Sequence, residues 1–586
     1  MGIVGNCSYQ ALIDGEANVC WLCWPAFDSS FVFGNLIDKQ KGGSFSISSR
    51  YQKYKSRQYY LTNTNVFCTE IEAADGKFRI TDFAPRFFQF ERYYRPLMLI
   101  RKIEPLQGNP SIRVACNPVG NYGKISLKRS EGSNHIEFRG LERELRLTTN
   151  ISLMYITHNQ NIVLNEEKYL VLTFGPPLEA GIKETAETFL SKTIAYWRGW
   201  VKNMTINSFH QKEVIRSALT LKIHQYEDTG AITAAATTSL PEFPGSGRNW
   251  DYRFCWMRDA FYTLTAFNNI GHFEELENYF HFITNISGAP ARHYQPLYSI
   301  TGESILTEKK LKLAGYLNNK PVRVGNAAYM HTQNDVYGQI LVSLLPLYID
   351  NRFIDRERGL EMGLVTRILN EIEARMEQPD AGIWEFREFE QFHCYTYLFH
   401  WAGSNAAFKI ACQREDEKLK SKALKLMKSA SRHIEKCWDR EKKVYTQAIG
   451  NSNLDSSTLQ LILMNYLDPK SSKASQHLEG LEKILKEADG LFYRYKHIDG
   501  FGQPESTFLV CGFWYAETLA CIGKVEESVK AFEYLLKFSN RHGLFSEDVD
   551  AKTGSQWGNF PQTYSHVGLV NAAYRIDRKL DKPNFL

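Results

Sequence analysis

Residues 184–201 read Glu-Thr-Ala-Glu-Thr-Phe-Leu-Ser-Lys-Thr-Ile-Ala-Tyr-Trp-Arg-Gly-Trp-Val, and the hydrophobic period of the chain changes here. Ala186, Phe189, Leu190, Ile194, Trp197 and Val201 recur at helical spacing, which predicts a connecting helix. On its N-terminal side the pattern is that of strands. Phe45 and Ile47 alternate with serines. Phe67, Thr69 and Ile71 run into Ala74-Asp75-Gly76-Lys77, and Phe78 and Ile80 alternate again, so an Asp-Gly turn joins a hairpin. Further strands are expected at Ile112–Ala115, Ile136–Arg139, Leu145–Thr149 and Tyr169–Phe174. Short strands with turns at this spacing predict an antiparallel β-sandwich. From Gln211 onward the period is helical throughout, with about a dozen amphipathic segments. The stretch Phe513–Lys537 resembles one tetratricopeptide unit, but no second copy follows at 34 residues, so a closed toroid is expected rather than a solenoid. The expected organisation is a sandwich at 1–180, a linker helix at 181–210 and a helical barrel at 211–586.

Composition limits the function. At 586 residues the chain exceeds a single ordinary core. The net charge is +5, from 70 basic and 65 acidic side chains, with no run of five or six Lys or Arg. Nucleic acid and membrane surfaces are therefore not expected partners. The 11 cysteines are odd in number and sit mostly in apolar runs, which points to a reducing, cytoplasmic setting. Cys20-Trp21-Leu22-Cys23 has no companion at metal-site spacing and reads as two strand cysteines. The N-terminus lacks the basic and apolar regions of a signal peptide, and no stretch approaches the roughly 18 apolar residues of a membrane helix.

Three loops between helices carry the chemistry-bearing residues. One runs from Gly245 to Ala260 and alternates aromatic and polar residues from Trp250 to Trp256, then presents Arg258-Asp259 at a helix start. An Arg-Asp pair supplies the donors and acceptors that vicinal hydroxyls require, and equally suits a structural pair. The second, Asp380-Ala381-Gly382-Ile383-Trp384-Glu385-Phe386-Arg387, sets an acid beside an aromatic ring. Such a ring offers a face to a sugar and raises the pKa of the acid. The third holds Ser546-Glu547-Asp548-Val549-Asp550. Glu385 and Glu547, on separate loops with aromatics near both, suit the acid and base of a glycosidase. Asp548 and Asp550 lack the glycine and terminal Glu of an EF-hand. Ser565-His566 lacks a nucleophile elbow, and Ser565 reads as an N-cap.

These motifs, in this order, resemble glycoside hydrolase family 15, the glucoamylases and their relatives, which include α,α-trehalases and glucodextranases. The likeness runs from Trp21-Leu22-Cys23-Trp24-Pro25 (with Ala26 where Arg is more usual) through Trp250-Asp251-Tyr252-Arg253, Arg258-Asp259-Ala260, Gln333-Asn334-Asp335, Gly382-Ile383-Trp384-Glu385 and Gly558-Asn559-Phe560-Pro561-Gln562. The resemblance implies an N-terminal β-sandwich, a linker helix and an (α/α)6 barrel. It implies inverting hydrolysis, with Glu385 as general acid, Glu547 as general base and roughly 6.5–9.5 Å between them for a water. It further implies that Arg258 and Asp259 grip the terminal glucose, that Tyr252, Trp256 and Trp384 wall its pocket, and that Gln333 and Asp335 border it. No metal or organic cofactor is expected. The expected activity is exo-acting release of glucose from non-reducing ends, glucoamylase-like, with α,α-trehalase on the same scaffold as the alternative. A non-catalytic carbohydrate-binding protein is a third reading, which the presence of both glutamates opposes. Fungal glucoamylases carry a second acid after the catalytic one; Phe386 stands there, so the substrate stays open.

Overall fold

The computed structural model of the protein describes residues 1–287, 293–353 and 362–580. Two antiparallel sheets form the N-terminal part. One has the order Gly2–Gly5, Gln10–Ile13, Val19–Cys23, Ser44–Ser49, Ser111–Asn117, Ile162–Val163, with Phe31–Phe33 paired to the third. The other has the order Lys128–Glu131, His135–Arg139, Leu145–Thr149, Lys168–Phe174, Met98–Gly108, Gly76–Phe83, Phe67–Ala73, Lys55–Tyr60. Their facing side chains (Phe45, Ile47, Val114 against Ile80, Leu99, Leu147) make one apolar core. The predicted hairpin forms, but Gly76 already pairs with Ala73, so the two-residue turn is Ala74-Asp75 and not the expected Asp75-Gly76.

The strand Met98–Gly108 is the longest of the second sheet, and no alternation announces it in the sequence. Its residues 98–103 are buried on both faces. Leu99 and Ile103 point into the sandwich, whereas Met98 and Ile100 meet the helix α1, Ile182–Lys202, on the outer face. A strand covered on both sides has no polar face to alternate. Arg101, buried within it, donates to Asp82 from Nε at 2.7 Å. The helix spans two cores: Ala186 packs on the sheet, and Trp197, Trp200 and Val201 pack on the helical domain.

The helices that follow α1 in the chain form two concentric rings. In chain order they are α2 (Gln211–His224), α3 (Met257–Asn269), α4 (Glu274–Ser287), α5 (Asp335–Ile349), α6 (Met362–Arg375), α7 (Cys394–Gln413), α8 (Glu417–Lys436), α9 (Gln460–Leu463), α10 (Ser472–Leu485), α11 (Leu509–Cys521), α12 (Val525–Leu536) and α13 (Thr563–Leu580). Helices α3, α5, α7, α9, α11 and α13 touch in sequence, and α13 returns to α3. This closed inner ring, with the alternate helices outside it, is an (α/α)6 barrel. The tetratricopeptide-like stretch is the pair α11 and α12, built into the ring. Inner helices are apolar around most of their surface: all thirteen residues of α11 are buried, whereas α8 buries one stripe. Ser565 lies inside the first turn of α13 rather than at its cap. Its hydroxyl donates to the carbonyl of Ser546 at 2.7 Å and so ties the helix to the loop that carries Glu547.

Each inner helix begins at the same end of the barrel, directly after a long loop. Trp256, Asn334, His393 and Phe508 precede α3, α5, α7 and α11. The leading N–H groups of four of the inner helices are spent on loop carbonyls, Met257 on Pro296, Cys394 on Gln447, Leu509 on Glu547 and Thr563 on Ala234, so the loops are tied to the helix starts. The last six residues of the expected barrel span lie outside the described residues. No described helix is long and apolar enough to cross a membrane.

Candidate active site

The loops entering the inner helices surround a pit with about 770 Å³ of empty space, its open mouth included. Tyr252, Trp256, Arg258, Asp259, Trp384, Glu385 and Glu547 all line it. Gln333 and Asp335, expected at its border, do not. Asp335 opens α5 with its carboxylate buried, accepts from Gln339 Nε2 at 2.6 Å, and lies behind Arg258, close enough for each charge to act on the other. Gln333 is buried beside it in the chain.

Tyr252 and Trp256 are four residues apart on an extended segment, so their rings leave the chain on the same side. The ring centroids are 5.5 Å apart. Each ring holds one carboxylate. The Trp256 indole N–H donates to Glu385 Oε1 at 2.7 Å, and the Tyr252 hydroxyl donates to Glu547 Oε1 at 2.7 Å. The two acids thus sit on neighbouring rings of one wall, though they are far apart in sequence.

Glu385 stands on a strained loop. Its φ is +61°, the left-handed region that a non-glycine residue rarely enters. The loop is held by Asp380, whose carboxylate accepts from the Asn334 amide at 2.8 Å and from the Thr396 hydroxyl. Gly382, at φ +66°, is packed so closely that a Cβ would meet the His393 ring at 2.7 Å. Burial first, and then the charge of Asp335, push the Asp380 carboxyl up. Arg258 lies 3.5 Å from Glu385 and donates to the Ile383 carbonyl at 2.6 Å. Trp384 donates to Asp455 at 2.8 Å, which fixes its ring as a wall. Phe386 stacks between Phe389 and His393, so an aromatic cluster occupies the place of a second acid.

Arg258 and Asp259 form the floor. Arg258 Nε and Asp259 Oδ2 are 3.4 Å apart, and neither has a hydrogen-bond partner among the described residues. Burial pushes the Asp259 carboxyl up to about 6 against the pull of Arg258. Both residues line the pit, and a cation beside an acid suits adjacent sugar hydroxyls.

Glu547 is buried and has acidic neighbours. Oxygens of Glu242, Glu547 and Asp548 lie within 4.8 Å of one another, the group best placed to share a cation among the described residues. Arginines already supply countercharge there: Arg494 pairs with Glu242, and Arg248 stands 3.8 Å from it. Burial and then the charge of Glu242 push Glu547 up, above the ordinary carboxylate range, while Arg494 and the Tyr252 hydroxyl pull the other way. Gly558, at φ +83°, lets the chain pass beside it; a Cβ there would meet Glu547 Cβ at 2.6 Å.

Glu242, Arg248, Trp250, Arg387, Arg494, Asp499 and Phe501 also line the pit and were not singled out as site residues from the sequence. The interleaved Tyr493-Arg494-Tyr495 is the signal available for one of them. The N-terminal part buttresses the site from outside. Arg253, paired with Asp251, donates to the Ser29 carbonyl at 2.6 Å, and the Trp21 indole donates to the Ala236 carbonyl at 2.8 Å.

A family model described as glycosyl hydrolases family 15 matches residues 208–574, and one described as trehalase-like, N-terminal, matches residues 1–161. A protein named trehalase from Thermoplasma volcanium is 31% identical, covering 99% of this chain and 94% of that protein. A trehalase from Thermoplasma acidophilum is 30% identical, covering 95% and 96%. A crystal structure of a bacterial glucoamylase complexed with acarbose superposes with a TM-score of 0.69 at 15% identity, covering 99% of this chain and 94% of that one. That likeness is one of fold.

Proposed function

We propose that this chain, which belongs to glycosyl hydrolases family 15, hydrolyses α,α-trehalose to two glucose molecules with inversion at the attacked carbon. The observation that carries the chemistry is the paired clamp: Trp256 on Glu385 and Tyr252 on Glu547, with Arg258 and Asp259 between them at the floor. Support for trehalose over a glucan comes from the relatives named trehalase, which this chain matches over nearly its whole length, and from the trehalase-like N-terminal match. On this reading the preference between the two sequence-based alternatives is reversed.

In the proposed mechanism Arg258 and Asp259 hold hydroxyls of the first glucose. Glu385 gives its proton to the bridging oxygen as the C1–O bond breaks. Glu547 takes a proton from the water that attacks C1 from the opposite face. Glu385 ends ionised and Glu547 protonated, and a proton exchange with solvent resets both. The attacked sugar leaves as β-glucose and the other as α-glucose. Polarimetry or NMR at early times on trehalose therefore shows the two anomers in equal amounts. Trehalose is expected to have the highest kcat/KM among trehalose, maltose, maltotriose and isomaltose. Preference for maltose or isomaltose overturns the substrate, and two α anomers at first formation overturn inversion.

A base must be ionised to act. With its pKa raised by burial and Glu242, Glu547 is competent at higher pH and loses competence as pH falls through that raised value. The acidic limb of the kcat/KM profile is therefore expected above the ordinary Glu value of about 4.3. Glu242→Gln removes the repelling charge and frees Arg494, so the limb moves to lower pH. A limb that stays in place or moves upward in this variant contradicts the assignment.

A further inference from the structure

The mouth of the pit is a ring of side chains from four separate loops. Trp250 is held between two arginines: Arg387 lies 4.1 Å from its ring centroid and Arg323 lies 4.5 Å from it. Both arginines pair with Glu308, Arg323 at 3.1 Å and Arg387 at 3.2 Å, so one carboxylate locks both cations in place. Phe501 meets Trp250 edge-on at 5.0 Å and carries Arg387 and Arg248 over its face at 5.4 and 5.6 Å. The turn that presents Phe501 is itself clamped. Arg248 pairs with Asp499 at 2.6 Å and donates to the Gly502 carbonyl at 2.9 Å. Gly500 lies beside the exposed Glu388 carboxyl.

Trp250, Arg387 and Phe501 all line the pit, and Arg387 and Phe501 are exposed where Asp259 is buried, which sets them toward its mouth. Rings and guanidinium groups at a mouth suit one further pyranose: the rings take its apolar face and the arginines take its hydroxyls. The ion pairs to Glu308 and Asp499 hold these groups in place, so the collar presents a set shape to whatever leaves the pit. We propose that the Trp250–Arg387–Phe501 collar determines specificity on the leaving-group side, seating one pyranose and excluding a third, so that the enzyme takes a disaccharide and rejects longer α-glucans. This rests on the trehalase reading above and adds the residues that enforce it.

The test compares kcat/KM for trehalose, maltose and maltotriose in the wild-type protein and in Arg387→Ala and Phe501→Ala. The wild type is expected to lose at least about tenfold between maltose and maltotriose, the scale at which a missing fit to one group is felt. In either variant the maltotriose-to-trehalose ratio is expected to rise by at least about tenfold. A ratio within about twofold of wild type in both folded variants, checked by circular dichroism, overturns the collar and leaves the trehalase reading standing. A wild type that cleaves trehalose yet handles maltotriose as well as maltose does the same, whether or not the variants fold. A wild type that cleaves maltose and maltotriose alike and leaves trehalose intact overturns both.

Discussion

Glu385→Gln lowers kcat on trehalose by about 10²–10⁴-fold, the contribution usual for a positioned proton donor. The amide has the shape of the acid and keeps the contact with the Trp256 indole at the carbonyl oxygen, but it has no proton to give. The loop should survive the change, because its backbone is held by Asp380, Asn334 and Thr396 rather than by the Glu385 side chain. A leaving group that needs no proton separates this from a structural defect. α-Glucosyl fluoride releases fluoride without acid help, so its hydrolysis by the variant is expected to stay close to that of the wild type. Equal loss on trehalose and on the fluoride would show that Glu385 is not the acid.

Glu547→Gln produces a loss of the same order, about 10²–10⁴-fold, with the opposite dependence on the leaving group. Activating the water is required for every substrate, so the fluoride is slowed along with trehalose. Azide needs no base and is small enough to replace the water. Its addition to this variant is expected to restore turnover and to yield β-glucosyl azide, because attack comes from the face opposite the leaving group. Product in the α configuration, or an undiminished fluoride rate, rules out Glu547 as the base. Removing Glu547 also relieves the crowding of three buried carboxylates around Arg494 and Arg248. The variant is therefore expected to fold, since it loses a carboxylate from a cluster rich in them.

Much of the architecture is legible in short stretches. The hairpin over Ala74 and Asp75 follows from alternation and a turn pair a few residues long. The helix Ile182–Lys202 follows from one apolar stripe. The loops that carry Tyr252, Arg258 and Glu385 stand out by composition, and they line the pit. Other features are hidden for identifiable reasons. Met98–Gly108 has two buried faces and hence no period to read. Ser565 looks like a cap because a small hydroxyl residue precedes an apolar run, yet its hydroxyl is spent on the Ser546 carbonyl. Asp335 resembles a rim residue by its motif, but α5 begins at it and carries its carboxylate behind Arg258.

The division follows range along the chain. Periods, turns and the residue types of each loop are set by neighbours within a few positions, and these name two domains and a pair of acids. The pairing of Trp256 with Glu385 spans 129 positions, that of Tyr252 with Glu547 spans 295, and that of Glu242 with Arg494 spans 252. No local pattern encodes such distances. They arise because six inner helices close into a ring, which brings loops far apart in sequence to one pit. The raised carboxyl of Glu547 and the cross-linked collar are consequences of that closure, through the burial and the foreign charges it brings.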